Sequence, residues 1–494
     1  MEVSNNFTSE RISSVAVQRY IKGLEGFSDI QIKETFKRCL LNTLETTVRF
    51  HSDGTTHIIT GDINALWLRD SSAQVQPYVY MCKSDPVLQK IVSGLIRFQY
   101  KCILNNYYAN AFNSDLTVWE EKYELDSLCY PIDLTWKYWK ITGDSSIFTS
   151  EAKKTFDKIR EVFRIEQRHA ELSNYRHEEM ACDGKGGSIA FTGMIWSGFR
   201  PSDDPCRYNY FIPGNMFTVV VLGKLAEIYQ RVYSDHKALE DCLALRNEID
   251  KGIQTYGCFK HPKYGQIYAY EVDGLGNSNL MDDANIPSLL SIPYLGYLPM
   301  TDPIYQNTRR FILSRDNPFF IEGKFAKGIG SPHTDQHGIS GSIWHLALIM
   351  QILTSEDARE VQRVLCYLAN TNGGTYYMHE GFDPDDPTRY SRSWFAWANS
   401  LYAEMIITKI LGLTFVPDKG TYVRPFLPYS VDWIELSEAV PFGYLDSIRL
   451  KVNKKGSDWV GCIVANHNSF VGCGRVFIPR EVTKAEVIIK LTDC

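Results

Sequence analysis

Apolar residues recur at the spacing of an α-helix through most of the first 410 residues. One example is the set Phe156, Ile159, Val162 and Phe163. Residues three or four positions apart lie on one face of a helix, so these side chains share a face. Loops rich in Gly and Pro separate roughly a dozen such segments. The pattern predicts a mainly α protein, for which we expect a ring of paired helices, an (α/α) barrel with a funnel of loops at one end. Further predicted helices span residues 30–50, 86–105, 123–141, 213–232, 236–255, 303–315, 339–353, 358–368 and 393–412. Thr354 and Ser355 form the predicted capping signal of the helix over 358–368.

The pattern changes after about Pro417. Short runs of alternating apolar and polar residues follow, among them SIRLKVN, WVGCIVAN, RVFIP and AEVIIKL. Val, Ile and aromatic residues that alternate between turn residues are typical of β-strands. We therefore expect a helical domain over residues 1–415 and a small β-rich extension over residues 416–494.

The composition limits the classes of partner. The 494 residues carry a formal net charge of −6, and they contain no Lys/Arg-rich stripe of the kind that binds nucleic acid. No stretch approaches about 18 apolar residues, so no membrane span is expected. The 12 cysteines are scattered without a CxxC pair, and the N-terminus lacks a secretory pattern. Both features favour reduced thiols and a cytoplasmic location.

The loop WSGFRPSDD, from Trp196 to Asp204, places two adjacent carboxylates behind aromatic residues and a proline. A carboxyl group beside aromatic walls loses water and stays protonated near neutral pH, as a general acid must be. Asp203 and Asp204 are therefore candidates for that role. The alternative is that Ser202 or Asp203 caps a helix after Pro201.

Two loops nearer the N-terminus carry further charged groups. TGDINALWLRD holds Arg69 and Asp70, and KYELDSLCYP holds Glu124 and Asp126. These side chains are candidates for a reactive cleft. The alternatives are an Arg–Asp pair at the start of a helix, capped by Asp70 or one of the two following serines, and ordinary acids in a first helical turn.

Loops further along the chain hold histidines and acids. Asp283 lies in MDDANIPSLL, His333 in GSPHTDQH, and His379 precedes Glu380 in YMHEGFD. His333 and His337 have the spacing of two metal ligands on a helix, but the glutamate of a HExxH motif is missing, so no metal site is expected. Glu380 is either a reactive carboxylate with a histidine partner or a solvated loop acid.

Other chemistries lack their signatures. The chain has no GxSxG nucleophile elbow, no P-loop, and no GxGxxG behind a predicted strand. What remains is a large helical chain whose loops carry several carboxylates and aromatic residues. Glycoside hydrolysis is the chemistry that needs two carboxylates and no cofactor.

Eight motifs, taken in chain order, give a more specific interpretation. They are GDINALWLRDSSAQV, KYELDSLCYP, TGMIWSGFRPSDD, IYAYEVDGLGN, MDDANIPSLL, GIGSPHT, YMHEGFD and SRSWFAWANSLYAE. Over residues 15–412 the series resembles glycoside hydrolase family 125. The resemblance implies an (α/α)6 barrel and an exo-acting α-mannosidase that prefers α-1,6 links, inverts the anomeric centre and needs no metal or other cofactor. It implies an oligosaccharide with terminal α-mannose as the substrate.

The resemblance also implies roles for individual residues. The family's general acid falls on Asp203 and its general base on Glu380. For inversion their carboxyl groups should lie about 6.5–9.5 Å apart, which leaves room for the attacking water. Asp204 either hydrogen-bonds the sugar or positions Asp203. The other residues implied at the substrate are Arg69, Asp70, Asp126, Asp283, His333 and His379.

Two features depart from the family pattern. They are the β-rich tail and the stretch 109–123, which is shorter than the usual loop and bears on linkage preference. Another exo-glycosidase or a phosphorylase on the same barrel is the alternative enzyme, although Glu380 stands where a phosphorylase would bind phosphate. A catalytically silent carbohydrate-binding protein is the third interpretation, and the presence of both carboxylates argues against it.

Overall fold

Helices form most of the described chain up to residue 410, which confirms the mainly α prediction. The computed structural model describes residues 12–491, apart from residues 26, 28, 340, 429, 430, 432, 437, 455–458, 466, 467, 474 and 475. The helices are α1 Val15–Gly23, α2 Ile30–Thr46, α3 Leu68–Gln74, α4 Gln76–Val79, α5 Pro86–Asn105, α6 Leu125–Thr142, α7 Ser150–Gln167, α8 His169–Leu172, α9 Ala181–Gly184, α10 Ile212–Ile228, α11 His236–Tyr256, α12 Ile292–Leu295, α13 Pro303–Ile312, α14 His345–Leu353, α15 Ala358–Thr371 and α16 Ala396–Met405.

Helix α5 illustrates how local sequence sets the bounds. It begins at Pro86, a residue whose missing N–H costs nothing in the first turn. The carboxylate of the preceding Asp85 accepts hydrogen bonds from the amides of Val87 and Leu88, and this cap satisfies donors that the helix leaves free. The helix ends at Asn105, as the sequence predicts.

The start of α14 and the cap of α15 differ from prediction. Helix α14 begins at residue 345 rather than 339, because Ile343–Trp344 pairs with Gly381–Phe382 as a short ladder. The cap of α15 is Asp357, which accepts a hydrogen bond from the amide of residue 359. Thr354 and Ser355 lie before that cap, so their predicted capping role is wrong.

The helices divide into those buried all round and those that bury one face. Helix α10 is apolar and buried over nearly its whole length, whereas α11 buries a stripe that includes Cys242, Leu245, Ile249 and Ile253. A helix apolar on every side belongs in a core, and an amphipathic helix covers it. The buried helices pack on one another in the pairs α3–α6, α6–α10, α10–α12, α14–α16 and α16–α3.

Short strands hold the loops that lead into the buried helices. They form the sheets β1–β2, β3–β4–β5, β10–β9–β6, β7–β8, β11–β12 and β13–β14. Their bounds are β1 Val48–Phe50, β2 Thr56–Ile58, β3 Leu66–Trp67, β4 Ala111–Phe112, β5 Val118–Glu120, β6 Tyr210–Phe211, β7 Cys258–His261, β8 Gly265–Tyr268, β9 Glu271–Val272, β10 Ser278–Asn279, β11 Phe320–Glu322, β12 Lys327–Ile329, β13 Ile343–Trp344 and β14 Gly381–Phe382.

Strands replace helices from residue 413 onward. They form the sheets β15–β16–β22 and β17–β19–β23–β20–β21, with β18 paired to β19 and only β19–β23 parallel among the described pairs. The runs that predicted strands lie in β19, β20, β22 and β23. The bounds are β15 Leu413–Val416, β16 Gly420–Val423, β17 Trp433–Glu435, β18 Val440–Phe442, β19 Leu445–Lys454, β20 Trp459–Ala465, β21 Asn468–Cys473, β22 Val476–Pro479 and β23 Lys484–Leu491.

The β-rich extension packs against the helical part through buried aromatic contacts. The Tyr20 hydroxyl donates a hydrogen bond to the carbonyl of Pro441 at 2.9 Å. The rings of Tyr80 and Phe442 stack with centroids 4.8 Å apart. Both Tyr20 and Phe442 are fully buried, so the two parts of the chain share apolar surface.

Two observations bear on the predicted compartment. Within the part of the chain that the structure describes, no helix is both long and apolar enough to cross a membrane. The nine cysteines whose side chains are described carry free thiols. The cytoplasmic location stays a prediction.

Candidate active site

The loops before the buried helices bring most of the predicted site residues into one cluster. Arg69 and Asp70 lie in the first turn of α3, and Asp126 lies in the first turn of α6. Asp203 precedes α10 and Glu380 precedes α16. Since α3 packs against both α6 and α16, the charged ends of these helices meet. Neither Asp70 nor a following serine caps α3, because that helix begins earlier, at residue 68.

Arg69 lies at the centre of four carboxyl groups. Its Nε is 3.3 Å from Asp70, its Nη1 is 2.5 Å from Glu124 and 3.5 Å from Asp126, and its Nη2 is 3.5 Å from Asp203. One buried guanidinium does not neutralise four carboxylates, so part of this group holds protons. Burial raises the pKa of Asp126 to about 6, and it also raises the pKa values of Asp70 and Glu124.

A strained turn presents Asp203 to Arg69. The amide of Asp203 donates to the carbonyl of Arg200, and the amide of Arg200 donates to the carbonyl of Asp204. Asp203 has a φ of 63°, in the left-handed region, which costs a residue with a side chain free energy and is found at functional sites. The Arg200 guanidinium holds the turn through two bonds to Glu271, of 2.6 and 3.1 Å. No helix begins until Ile212, so the capping alternative fails.

The surroundings of Asp203 differ from those that its sequence context predicts. Trp196 and Phe199 are fully buried and pack on histidine rings, while the Asp203 carboxyl contacts charged and polar groups. Burial raises its pKa, but the Arg69 charge and a hydrogen bond with Glu124 outweigh burial, so the pKa of Asp203 is lowered. The prediction that aromatic walls keep this carboxyl protonated is therefore wrong.

Glu380 is fixed by one hydroxyl and one guanidinium. Ser391 Oγ donates to Glu380 Oε2 at 3.1 Å, and Arg392 Nη1 lies 3.7 Å from Glu380 Oε1. Arg392 is itself held by Asp62, at 2.8 Å from its Nε. A carboxylate held in this way keeps its orientation while it acts on a neighbouring molecule.

His333 connects the Asp203 side of the cluster with the Glu380 side. Its Nδ1 lies 3.7 Å from Asp204 Oδ1. Burial lowers the pKa of His333, but a hydrogen bond with Asp204 and the charges of Asp203 and Glu380 outweigh burial and raise it to about 9. The imidazole is therefore a cation near neutral pH, and it interacts with both predicted catalytic carboxylates.

The predicted site residues differ in how far they reach the surface. The side chains of Asp203, Asp204 and His333 are 23%, 14% and 20% exposed. Arg69 and Glu380 are 4% and 5% exposed, so a small part of each is accessible. These five side chains line an accessible cluster of mixed charge, which suits a ligand with many hydroxyl groups.

Asp126 and Asp283 lie beneath that accessible surface. Asp126 is fully buried against Arg69. Asp283 is 1% exposed and accepts hydrogen bonds from Ser331 Oγ and the amide of Asn285, both at 3.2 Å. Burial raises the pKa of Asp283 to about 6. Both acids support the accessible side chains from below, and their direct contact with a sugar stays a prediction.

His379 does not reach the cluster's accessible surface. Its ring is fully buried and stacks on Tyr390 with centroids 3.7 Å apart. Its Nε2 and Nδ1 are hydrogen-bonded to Thr375 Oγ1 and to the carbonyl of Arg392. With both nitrogens hydrogen-bonded inside the protein, His379 holds the loop that carries Glu380, and its contact with substrate stays a prediction.

Sequence reasoning missed two residues that complete the cluster. Arg392 faces Glu380, and the side-chain amide of Asn110 donates to Asp203 Oδ1 at 3.3 Å. Glu124, a candidate without an assigned role, contacts Arg69. Arg392 lies in the motif SRSWFAWANSLYAE, so a motif contained it. Asn110 had no signal, because a β-ladder between β3 and β4 brings it to the site.

The acid cluster is organised around a guanidinium. Among the described residues, no group of three or more His, Cys, Asp and Glu could hold a metal ion. The side chain of His337, the possible partner of His333, lies outside the described residues. The carboxyl groups instead converge on Arg69.

Comparisons with known proteins identify the family of this chain. The model of the metal-independent α-mannosidase family (GH125) matches residues 29–407. The meiotically up-regulated gene 157 protein of Schizosaccharomyces pombe is 38% identical over 440 residues, which cover 80% of this chain and 85% of that protein.

Solved structures give the same assignment. A metal-independent α-mannosidase of Streptococcus pneumoniae, in a non-productive complex with α-1,6-mannobiose, is 42% identical with a TM-score of 0.77 and covers 81% of this chain and 99% of its own. A GH78 rhamnosidase of Bacillus sp. GL1, 14% identical with a TM-score of 0.55 over 86% of this chain and 41% of its own, is similar in fold alone. The chain therefore belongs to glycoside hydrolase family 125, the metal-independent α-mannosidases.

Proposed function

We propose that this α-mannosidase acts from the non-reducing end of oligosaccharides or N-glycan fragments, hydrolyses terminal α-1,6-linked mannose and inverts the anomeric centre. The observation that carries the proposal is the single charged cluster in which His333 interacts with both Asp203 and Glu380. Two carboxylates held on opposite sides of a polar site are what inverting hydrolysis requires. The α-1,6 linkage is taken from the disaccharide bound to the pneumococcal relative.

In the proposed reaction Asp203 is the general acid and Glu380 the general base. Asp203 gives a proton to the glycosidic oxygen as the bond to the anomeric carbon breaks. Glu380 takes a proton from water, whose oxygen attacks that carbon from the opposite face. This arrangement calls for about 6.5–9.5 Å between the two carboxyl groups.

The accessible residues around the pair would bind the terminal mannose. Arg69, Asp204 and His333 offer charged donors and acceptors for sugar hydroxyls. Asp70, which pairs with Arg69 Nε at 3.3 Å, is proposed as a further acceptor for a sugar hydroxyl. Asp126 and Asp283 would act behind this surface, by fixing Arg69 and the loop before α14.

We further propose that the helices form an (α/α)6 barrel over residues 1–415, with residues 416–494 as a separate extension. The chain of contacts from α14 through α16, α3, α6 and α10 to α12 supports an inner layer of successive helices. The amphipathic helices α5, α7, α11 and α15 would form the outer layer. The site would then lie where the inner helices begin.

The test is proton NMR of α-1,6-mannobiose turnover, read within the first minutes. β-Mannose as the first product is expected, and α-mannose as the first product would overturn the inverting assignment. No release from this disaccharide, with release from an α-1,2- or α-1,3-linked one, would overturn the linkage. Dependence on added phosphate, with mannose 1-phosphate as the product, would favour a phosphorylase instead.

A further inference from the structure

Glu124 is a buried carboxyl group with an incomplete set of hydrogen-bond donors. Its Oε2 receives hydrogen bonds from Arg69 Nη1 at 2.5 Å and from Ser127 Oγ at 2.8 Å. Its Oε1 receives none from the described residues, although the side chain is fully buried. The Asp203 carboxyl lies on the same guanidinium, with Asp203 Oδ1 3.5 Å from Arg69 Nη2, so the two acids adjoin each other.

A fully buried carboxyl group with one oxygen that receives no hydrogen bond is poorly stabilised as an anion, so Glu124 favours its protonated form. Asp203 reaches the surface and contacts Arg69, which favours its ionised form. The pKa shifts have the same directions: burial raises the pKa of Glu124, whereas at Asp203 burial is outweighed, chiefly by the Arg69 charge, and the pKa is lowered. A proton shared by the two acids therefore belongs to Glu124. The accessible member of the pair is Asp203, whose side chain is 23% exposed, while that of Glu124 is 0% exposed.

We propose that Glu124 is a positioning residue that holds the proton which Asp203 delivers to the glycosidic oxygen. The inference rests on the proposed function, because it needs Asp203 to be the general acid. The O–H bond of Glu124 breaks as the O–H bond of Asp203 forms, and the Asp203 O–H bond then breaks as the leaving oxygen is protonated. Both carboxyl groups end as carboxylates, and Arg69 contacts each of them.

Other acids near Asp203 fit this role less well. Glu120 also lies close, but Lys122 pairs with it at 3.4 Å and Asn110 donates to it at 2.8 Å. Asp126 contacts Arg69 at 3.5 Å and interacts with Asp203 through its charge. Because all the charges around the pair influence its titration, the pair titrates as one unit. The charged groups that face it are Arg69, Asp70, Glu120, Lys122, Asp126 and His333.

The first test is the pH dependence of kcat/KM for α-1,6-mannobiose in Glu124→Gln. Gln keeps the shape and donates a hydrogen bond to Asp203 but carries no transferable proton. Two carboxyls that share a site hold their last proton to higher pH than one alone, so the basic limb should move to lower pH by about one unit or more. An unmoved limb would overturn the proposal.

Ser127→Ala provides the opposite shift. The hydroxyl of Ser127 stabilises the ionised form of Glu124, so its loss should make Glu124 hold the proton more tightly and move the basic limb to higher pH. Shifts of opposite sign in two neighbouring variants do not arise from general damage to the fold. Shifts of the same sign would contradict the role of Glu124 as the proton holder.

The leaving group provides the second test. 2,4-Dinitrophenolate leaves without protonation, so an acid defect matters less for 2,4-dinitrophenyl α-mannoside than for the disaccharide. Glu124→Gln should lose at least about tenfold more kcat on mannobiose than on the aryl mannoside. Equal losses on both substrates would mean a purely structural role and would overturn the inference. Wild-type protein that fails on every α-mannoside would instead overturn the proposed function.

Discussion

At the scale of single residues, substitutions of Asp203 and Glu380 are expected to reduce activity with a different dependence on the leaving group. Glu380→Gln removes the base that activates water, so kcat should fall by about 10²–10⁴-fold on both mannobiose and 2,4-dinitrophenyl α-mannoside. Asp203→Asn removes the acid, so it should be damaging on mannobiose and much milder on the aryl mannoside. Initial rates on the two substrates make this comparison.

A matched control for Glu380 stands three positions further on. Asp383 pairs with Arg389 at 2.9 Å, outside the Arg69 cluster. Asp383→Asn should keep kcat within about twofold of wild type, since surface ion pairs contribute little. If both Asp203→Asn and Glu380→Gln kept full activity on mannobiose, the assignment of the pair would be wrong.

His333 gives a prediction for stability as a function of pH. Its folded pKa of about 9 lies above its usual value, so the protonated form stabilises the fold. That stabilisation is fully present below the unfolded pKa of about 6.5 and is lost as the pH rises through 9. Each unit of the shift corresponds to about 1.4 kcal/mol.

The measurement is urea unfolding of the wild type and His333→Gln between pH 6 and pH 10. The difference in unfolding free energy should be largest at the acid end and shrink toward the alkaline end. His261 is a suitable control, because it lies in the β7–β8 hairpin, away from the acid cluster. A constant difference across the range for His333→Gln would mean that the charge of this imidazole does not stabilise the fold.

At the scale of elements, β13 and β14 explain what the sequence predicted and what it did not. Helical periodicity located α14 and α16, because a buried helix must be apolar. The two-residue ladder between β13 and β14 left no pattern, since strands this short do not alternate long enough to be recognised. That ladder ends next to Glu380, so the backbone that sets its position was outside the reach of sequence reasoning.

Substitution of His379 tests whether the loop that carries Glu380 supports catalysis without a contact between His379 and the sugar. His379→Ala should reduce stability, because it removes the stack on Tyr390 and two hydrogen bonds. It should lower kcat through a displaced Glu380 and leave KM for mannobiose within about twofold. His379→Asn, which keeps a donor and an acceptor, should recover part of the loss. A large rise in KM at unchanged kcat would support the predicted sugar contact.

At the scale of the whole molecule, residue types were predictable and their ionisation was not. The motifs identified the acids at 70, 126, 203 and 380 because catalytic chemistry restricts residue type. The proton on Glu124 and the cation at His333 depend on charges that meet only after folding, from loops far apart in sequence. The neighbouring aromatic residues gave a wrong prediction for the environment of Asp203, because Trp196 and Phe199 face the core while the Asp203 carboxyl faces Arg69.

The β-rich extension is expected to stabilise the helical part without entering the site. Phe442 is fully buried and stacks on Tyr80, so Phe442→Ala should lower the free energy of unfolding by about 3–5 kcal/mol. The activity on mannobiose at a temperature well below the melting point should stay within about twofold of wild type. Chemical denaturation and initial rates measure the two effects separately.

Lys83→Ala is the matched control at the same interface. Lys83 Nζ lies 3.2 Å from Asp446 and donates to the carbonyl of Tyr444 at 2.8 Å, but the Lys83 and Asp446 side chains are partly exposed, at 31% and 46%. The loss of Lys83 should therefore change stability by about 1 kcal/mol or less. A Phe442→Ala protein with normal stability and reduced kcat would mean that the extension shapes the site. The expected result is lower stability at normal kcat. It would mean that the extension buries the apolar surface of Tyr20 and Tyr80, because exposing such surface to water costs free energy roughly in proportion to its area.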